Sequence, residues 1–194
     1  SASNPGTCSD GFGTRAPASS GSDSYLGTGT SDVAYSNGIS FLVPATTYYY
    51  CAIVYNSYGT TYGALMSFTT LANAPVVTTN SATLLTGTTA QLNGAANPGG
   101  ASTTGWFRYA TASPGTCNDS FGTRAPAAGG SNLGSGTSNT AYLQAITGLT
   151  AGTTYYFCAI ASNSAGTAVG SVLSFTTPLP PVAAPHTAPQ PGAP

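Results

Sequence analysis

Apolar and polar side chains alternate in short runs along this chain, and the runs end at glycine, asparagine or proline. Residues 153–162 show it best: Tyr155, Phe157, Ala159 and Ala161 hold one parity, and Tyr156, Cys158 and Ile160 the other. A period of two is that of a β-strand, whose successive side chains point to opposite faces. The same reading predicts strands over 75–79, 88–96, 103–110, 140–146 and 170–176, with a turn at Asn97-Pro98-Gly99-Gly100. No window long enough for a helix keeps a 3.6-residue apolar period. Six or seven short strands in about 100 residues describe a β-sandwich.

The pattern occurs twice. Pro5-Gly6-Thr7-Cys8 returns as Pro114-Gly115-Thr116-Cys117, and Phe12-Gly13-Thr14-Arg15-Ala16-Pro17-Ala18 as Phe121-Gly122-Thr123-Arg124-Ala125-Pro126-Ala127. Later, Thr46-Thr47-Tyr48-Tyr49-Tyr50-Cys51-Ala52-Ile53 matches Thr153-Thr154-Tyr155-Tyr156-Phe157-Cys158-Ala159-Ile160, and Ser67-Phe68-Thr69-Thr70 matches Ser174-Phe175-Thr176-Thr177. The offset is 109 residues early and 107 late, which places a two-residue indel in the Ser/Gly-rich stretch between Ala18 and Gly27. A period of that size is a whole domain, not a solenoid unit. Residues 71–177 read as a complete module. Aligned on it, Ser1 falls opposite Ala110, so residues 1–70 read as a partial module lacking the first three strands and keeping the loop and the later strands.

The inner face of such a partial module, with Tyr48, Tyr50, Ala52 and Val54, is expected to lie open. The missing strands would come from preceding polypeptide of a longer repeat chain or from another copy of the chain. Completion by a neighbour is a heterologous, head-to-tail contact, which propagates into a filament unless it closes into a ring. Residues 178–194 hold seven of the 14 prolines and read as an extended polyproline II stalk or docking arm.

The run from Leu149 through the Gly152-Thr153 turn, Tyr155, the alternating residues, Asn163 and Gly166 to Ser174-Phe175-Thr176-Thr177 resembles the fibronectin type III module, especially its Thr/Gly-rich bacterial version. The resemblance covers most of 74–177 and the later part of 1–70. It implies an all-β chain of tandem fibronectin type III or immunoglobulin-like β-sandwiches, the first incomplete. It also implies tyrosine corners at Tyr155 and Tyr48, their hydroxyls bonded to nearby backbone. On function it says little, because this module serves as spacer, adhesion unit or enzyme appendage in different hosts.

That family usually lacks cysteines, whereas each copy here has two. Four cysteines allow three pairings, and duplication selects Cys8–Cys51 and Cys117–Cys158, because each copy then carries the same bridge. Loops of this length predict about 4 kcal/mol per bridge on the chain-entropy model. The absence of any Cys-x-x-Cys and the single His, His186, argue against zinc. Disulfides imply an oxidising, extracellular or cell-surface address. By strand parity each bridge ties its loop across the outer face of the sheet, over Tyr156, Cys158 and Ile160 in one copy and Tyr49, Cys51, Ile53 and Tyr55 in the other. Such an apolar face needs a cover, the tethered loop or a partner.

Composition narrows the chemistry. Only 4% of the residues are charged, against about 25% in ordinary soluble domains. Three arginines cannot neutralise a run of phosphates, which excludes nucleic acid as a partner. No basic amphipathic stretch and no long apolar run is present for a membrane. The lone imidazole, His186, lies in the proline-rich tail, and Asp10 and Asp119 are repeat equivalents in separate modules that should not converge on one cleft. The chain is therefore read as non-enzymatic, without cofactor or metal. Asp10 with Arg15, and Asp119 with Arg124, are expected as structural ion pairs.

Tyr25, Tyr35, Tyr49, Tyr55, Tyr58 and Tyr62 are expected in loops or on outward positions, available to an interface or to sugar stacking. Asn118-Asp119-Ser120 is an N-glycosylation triplet. A net charge of −1 favours self-association unless attached glycans keep chains apart. These features together lead to an extracellular structural protein of bacterial type, a homo-oligomeric subunit of a head-to-tail surface filament. The alternative is a carbohydrate-binding or spacer module of a larger secreted enzyme or adhesin.

Overall fold

The computed structural model describes residues 1–18 and 20–182. The extended tail expected over 178–194, with His186, falls outside the described residues beyond position 182. In the first module the strands are β1 Thr47–Tyr50, β2 Ile53–Asn56, β3 Gly59–Tyr62 and β4 Met66–Thr69. In the second they are β5 Val76–Thr83, β6 Thr89–Asn97, β7 Thr103–Ala110, β8 Thr123–Ala125, β9 Ser131–Gly134, β10 Thr140–Thr147, β11 Thr154–Asn163, β12 Gly166–Val169 and β13 Leu173–Thr176.

The second module is an antiparallel β-sandwich. One sheet has the order β10-β6-β5; the other runs β12-β11-β7-β8, with β13 also on β11 and β9 also on β7. Alternation along the strands fills the space between the sheets: Leu92 and Ala96 from β6, Phe107 from β7, Tyr142 and Ile146 from β10, and Tyr155, Phe157, Ala159 and Ala161 from β11. Phe157 meets Phe175 edge-on at 5.8 Å between ring centroids, and Phe107 lies 5.0 Å from Tyr142. The run expected as a strand over 170–176 shortens to β13, with no strand at 170–172, and a further strand, β12, precedes it. Gly170 marks the break, where its N–H donates to Ala159 O at 2.8 Å. A Cβ there would sit 2.4 Å from Thr79 Oγ1, so the crossing requires glycine.

A second apolar cluster occupies the opposite face of β11. Trp106, Cys158 and Ile160 are buried there, with Cys117 and Phe121 packed against them. The disulfide-tethered loop is the cover that this face needs, so β11 is buried on both sides.

The first module has far less. β1 pairs with β4, β2 with β3, and no described residue of 1–70 is fully buried. The segment that aligns with β10 forms no strand. The reason is local: β10 is held by its ladder to β6, from Thr140↔Ala96 to Thr147↔Thr89, and the described part of residues 1–70 contains no counterpart of β6.

Candidate functional site

The repeat allows each inner-face residue of the first module to be compared with its equivalent in a closed one. Phe157 is 0% exposed, whereas Tyr50 is 48% exposed; Phe175 is at 7% and Phe68 at 36%. Ile146 and Ile39 stand at 5% and 50%, Tyr142 and Tyr35 at 5% and 42%. The sequence is apolar at both members of every pair, but only the second module supplies β5, β6 and the length of β7 that cover the face. What remains in the first is a strip of rings, with Phe68 5.8 Å from Tyr48 and 6.0 Å from Tyr50. Exposed apolar side chains gathered on and beside the β1–β4 pair make this face the candidate site.

Backbone features repeat the contrast. Ser1 N–H donates to Tyr49 O at 3.1 Å and Tyr49 N–H to Ser1 O at 2.8 Å, the rung that Ala110 and Tyr156 make in the second module. Beyond that rung no strand among the described residues pairs with this edge, and the strand equivalent to β11 breaks into β1 and β2 at Cys51-Ala52. In the second module Ala159 N–H, buried, donates to Thr79 Oγ1 at 3.0 Å; Thr79 lies in the stretch without a counterpart in residues 1–70.

The cysteines are joined as Cys8–Cys51 and Cys117–Cys158, both with Cα atoms 6.0 Å apart. Tyr48 Oη accepts from Val43 N–H at 2.9 Å, and Tyr155 Oη from Thr150 N–H at 3.0 Å, each spanning five residues. Neither ion pair expected from the spacing forms. Arg15 bonds Asp23 at 2.7 Å, and this carboxylate raises the guanidinium pKa, with a further Coulombic contribution from Asp10. Asp119 accepts from Arg108 Nε at 3.0 Å and from Trp106 Nε1 at 2.7 Å, while Arg124 lies 4.7 Å from the Trp106 ring centroid and donates to Pro126 O and Gly129 O. A position five residues away along a loop is a poorer partner than one facing it across the sheet.

Spacing along the chain does not single out Arg108, Trp106 or Asp23 as partners; the shared outward parity of Trp106 and Arg108 on β7 is the signal that does for the first two. Tyr35 belongs to the inner face rather than to an outward set, since it is the equivalent of Tyr142. The Tyr142 hydroxyl donates to Ile160 O at 3.0 Å, and burial raises its pKa well above the usual phenol. Tyr35 makes the matching contact to Ile53 O at 3.5 Å. Tyr49 is half-buried, Tyr25 and Tyr58 are exposed, and Tyr62 lies at the foot of the β2–β3 hairpin. Tyr55 and Tyr58 line a shallow open depression with Asn56 and Thr60. Asn118 Oδ1 accepts from Ser120 N–H and Oγ–H, closing an exposed turn. Among the described residues no three His, Cys, Asp or Glu side chains gather as metal ligands, and no helix is long and apolar enough to cross a membrane.

The sequence matches no protein-family model and no curated protein. Among solved structures the chain is similar to the sensor domain of the anti-sigma factor RsgI4 of Pseudobacteroides cellulosolvens, at 20% identity and a TM-score of 0.38, over 54% of this chain and 94% of that one. It is also similar to the FN1-FN3 domains of chicken CNTN1, at 17% identity and 0.36, over 71% and 44%, and to domains d3-d4 of the rat CD45 extracellular region, at 13% and 0.40, over 90% and 86%. These likenesses concern fold, not function.

Proposed function

We propose that this chain is a non-enzymatic extracellular structural protein, a subunit of a surface filament joined head to tail where polypeptide from a neighbouring subunit closes the open sheet of the first module. The observation that carries the reading is the contrast between Tyr50 on β1 and Phe157 on β11: equivalent positions of the repeat, one half exposed and the other sealed. Two disulfides and no free cysteine fit an oxidising compartment. With so few charges, little electrostatic repulsion opposes contact between copies. Light scattering and negative-stain imaging over a concentration series test it. The chain should self-associate, and Tyr50→Asp or Phe68→Asp should suppress this. A folded chain that stays monodisperse at every concentration overturns the reading.

A second reading, carbohydrate recognition, rests on the exposed Tyr55 and Tyr58 at their open depression. Its test is binding to insoluble polysaccharides, which Tyr55→Ala and Tyr58→Ala should abolish.

A further inference from the structure

Two Asn-Gly dipeptides occur in the chain, Asn37-Gly38 and Asn93-Gly94. This pairing favours a reaction of the backbone on the side chain, in which the amide nitrogen after the asparagine attacks the asparagine Cγ. A glycine at the attacking position has no Cβ to hinder the approach or to forbid the dihedral angles that ring closure needs. Whether the reaction runs is then decided by the fold, which treats the two pairs in opposite ways.

Asn93-Gly94 lies on the middle strand of the β10-β6-β5 sheet. Gly94 stands opposite Thr79 on one side and Tyr142 on the other, so ladders hold its extended backbone along both edges. It is buried, and a Cβ there would meet Ala159 Cβ at 2.9 Å. The Asn93 amide is held as well: Nδ2 donates to Ser81 O at 2.8 Å and to Thr83 Oγ1 at 3.0 Å, and Oδ1 accepts from Gln91 Nε2 at 3.0 Å. Ring closure at this pair requires the sheet to open.

Asn37-Gly38 has none of these restraints. In the repeat it aligns with Gln144-Ala145 of β10, which stand opposite Leu92 and Gln91 of β6. Residues 33–43 form no strand, Asn37 and Gly38 are both exposed, and neither makes a hydrogen bond among the described residues. Around Gly38 the space is open, with nothing within 4 Å of where a Cβ would stand.

We propose that Asn37 is a site of spontaneous modification, converted through a succinimide to aspartate and isoaspartate, while Asn93 is spared. The Gly38 nitrogen gives up its proton and adds to Asn37 Cγ. The new N–Cγ bond closes the ring, the Cγ–Nδ2 bond breaks, and Nδ2 leaves with that proton as ammonia. Water then adds to one of the two ring carbonyls. Opening at Cγ gives aspartate; opening at the Asn37 main-chain carbonyl gives isoaspartate, with the backbone rerouted through the side chain. One water enters, one ammonia departs, and nothing is oxidised or reduced. The product adds a negative charge to a chain whose net charge is −1. Isoaspartate also inserts a methylene into the main chain between Tyr35 and Ile39, which breaks their shared parity. The inference does not rest on the head-to-tail reading.

The test is to incubate the 194-residue chain in dilute neutral buffer, digest samples with chymotrypsin and map them by mass spectrometry. The deamidated mass should accumulate at Asn37, with isoaspartate identified by electron-transfer fragmentation. Asn93 should convert at least about a hundredfold more slowly, because reaction there waits on the opening of a core strand. In urea the two sites should react at similar rates. Gly38→Ala, which the open space accommodates, should slow conversion of Asn37 about tenfold. Isomerisation at the exposed Asp10-Gly11 leaves the mass unchanged and is read apart from it. Equal rates at Asn37 and Asn93 in the folded chain overturn the proposal. So does an Asn37 that stays intact in buffer over the time in which Asn93 converts in urea.

Discussion

Phe157→Ala and Tyr50→Ala delete an aromatic ring at equivalent positions, so their difference measures how closed each module is. Phe157 is wholly buried and packs on Phe175. A fully buried ring removes about 200 Å² from water, worth about 5 kcal/mol at 25 cal/mol per Å² before the alanine's own share is subtracted. Its truncation should cost about 4 kcal/mol, in the range of other Phe→Ala cavities. Tyr50 is 48% exposed and meets Phe68 edge-on, 6.0 Å between ring centroids. Roughly half the area is at stake, and the cost falls to about 1–2 kcal/mol. A two-module chain need not unfold in one step, so amide hydrogen exchange, read strand by strand, is the suitable assay. Phe157→Ala should lower protection in β7 and β11 about a thousandfold; Tyr50→Ala should lower that of β1 and β4 by no more than about thirtyfold. Equal losses in the two modules would refute the reasoning, because they require a sealed core behind Tyr50.

Removal of the second disulfide by Cys117→Ser with Cys158→Ala should destabilise its module by more than the chain-entropy value of about 4 kcal/mol, since it also uncovers Trp106 and Ile160; Cys8→Ser with Cys51→Ala should stay near that value, and urea titrations followed by Trp106 fluorescence and by hydrogen exchange compare them. Asp119→Ala should shift the Trp106 indole proton resonance and cost about 1 kcal/mol, with Asp119→Asn recovering part of the loss because the amide oxygen still accepts. For Tyr142 the folded-state pKa lies above the unfolded value of about 10. The unfolded chain therefore loses its proton first, and stability should be flat below pH about 10 and fall above it by up to about 1.4 kcal/mol per unit. Tyr142→Phe should flatten that decline in thermal melts between pH 9 and 11.

The long strands were legible because each is a run of alternating or β-prone residues bounded by turn residues. The repeat likewise marked residues 1–70 as lacking the strands equivalent to β5–β7. The very short β8 and β9 were not legible: three or four residues held by an edge ladder to β7 leave no alternation to detect. Nor was the loss of a β10 equivalent in the first module, because residues 33–40 keep its apolar pattern, including Tyr35 and Ile39, and lack only a partner strand. The acidic residues failed for a related reason. Asp119 reaches across to Arg108 and Trp106 on β7, a contact set by sheet register, whereas sequence spacing singled out Arg124 on its own loop.

The two covalent loops also govern how such a chain would respond to tension. Bridges spanning 43 and 41 residues cannot lengthen until a sulfur–sulfur bond is cut, and at about 3.5 Å per extended residue each withholds about 150 Å of contour. A pulled subunit would release slack only from the segments outside its bridges. Reductant should therefore turn a short, stiff tether into a long, compliant one.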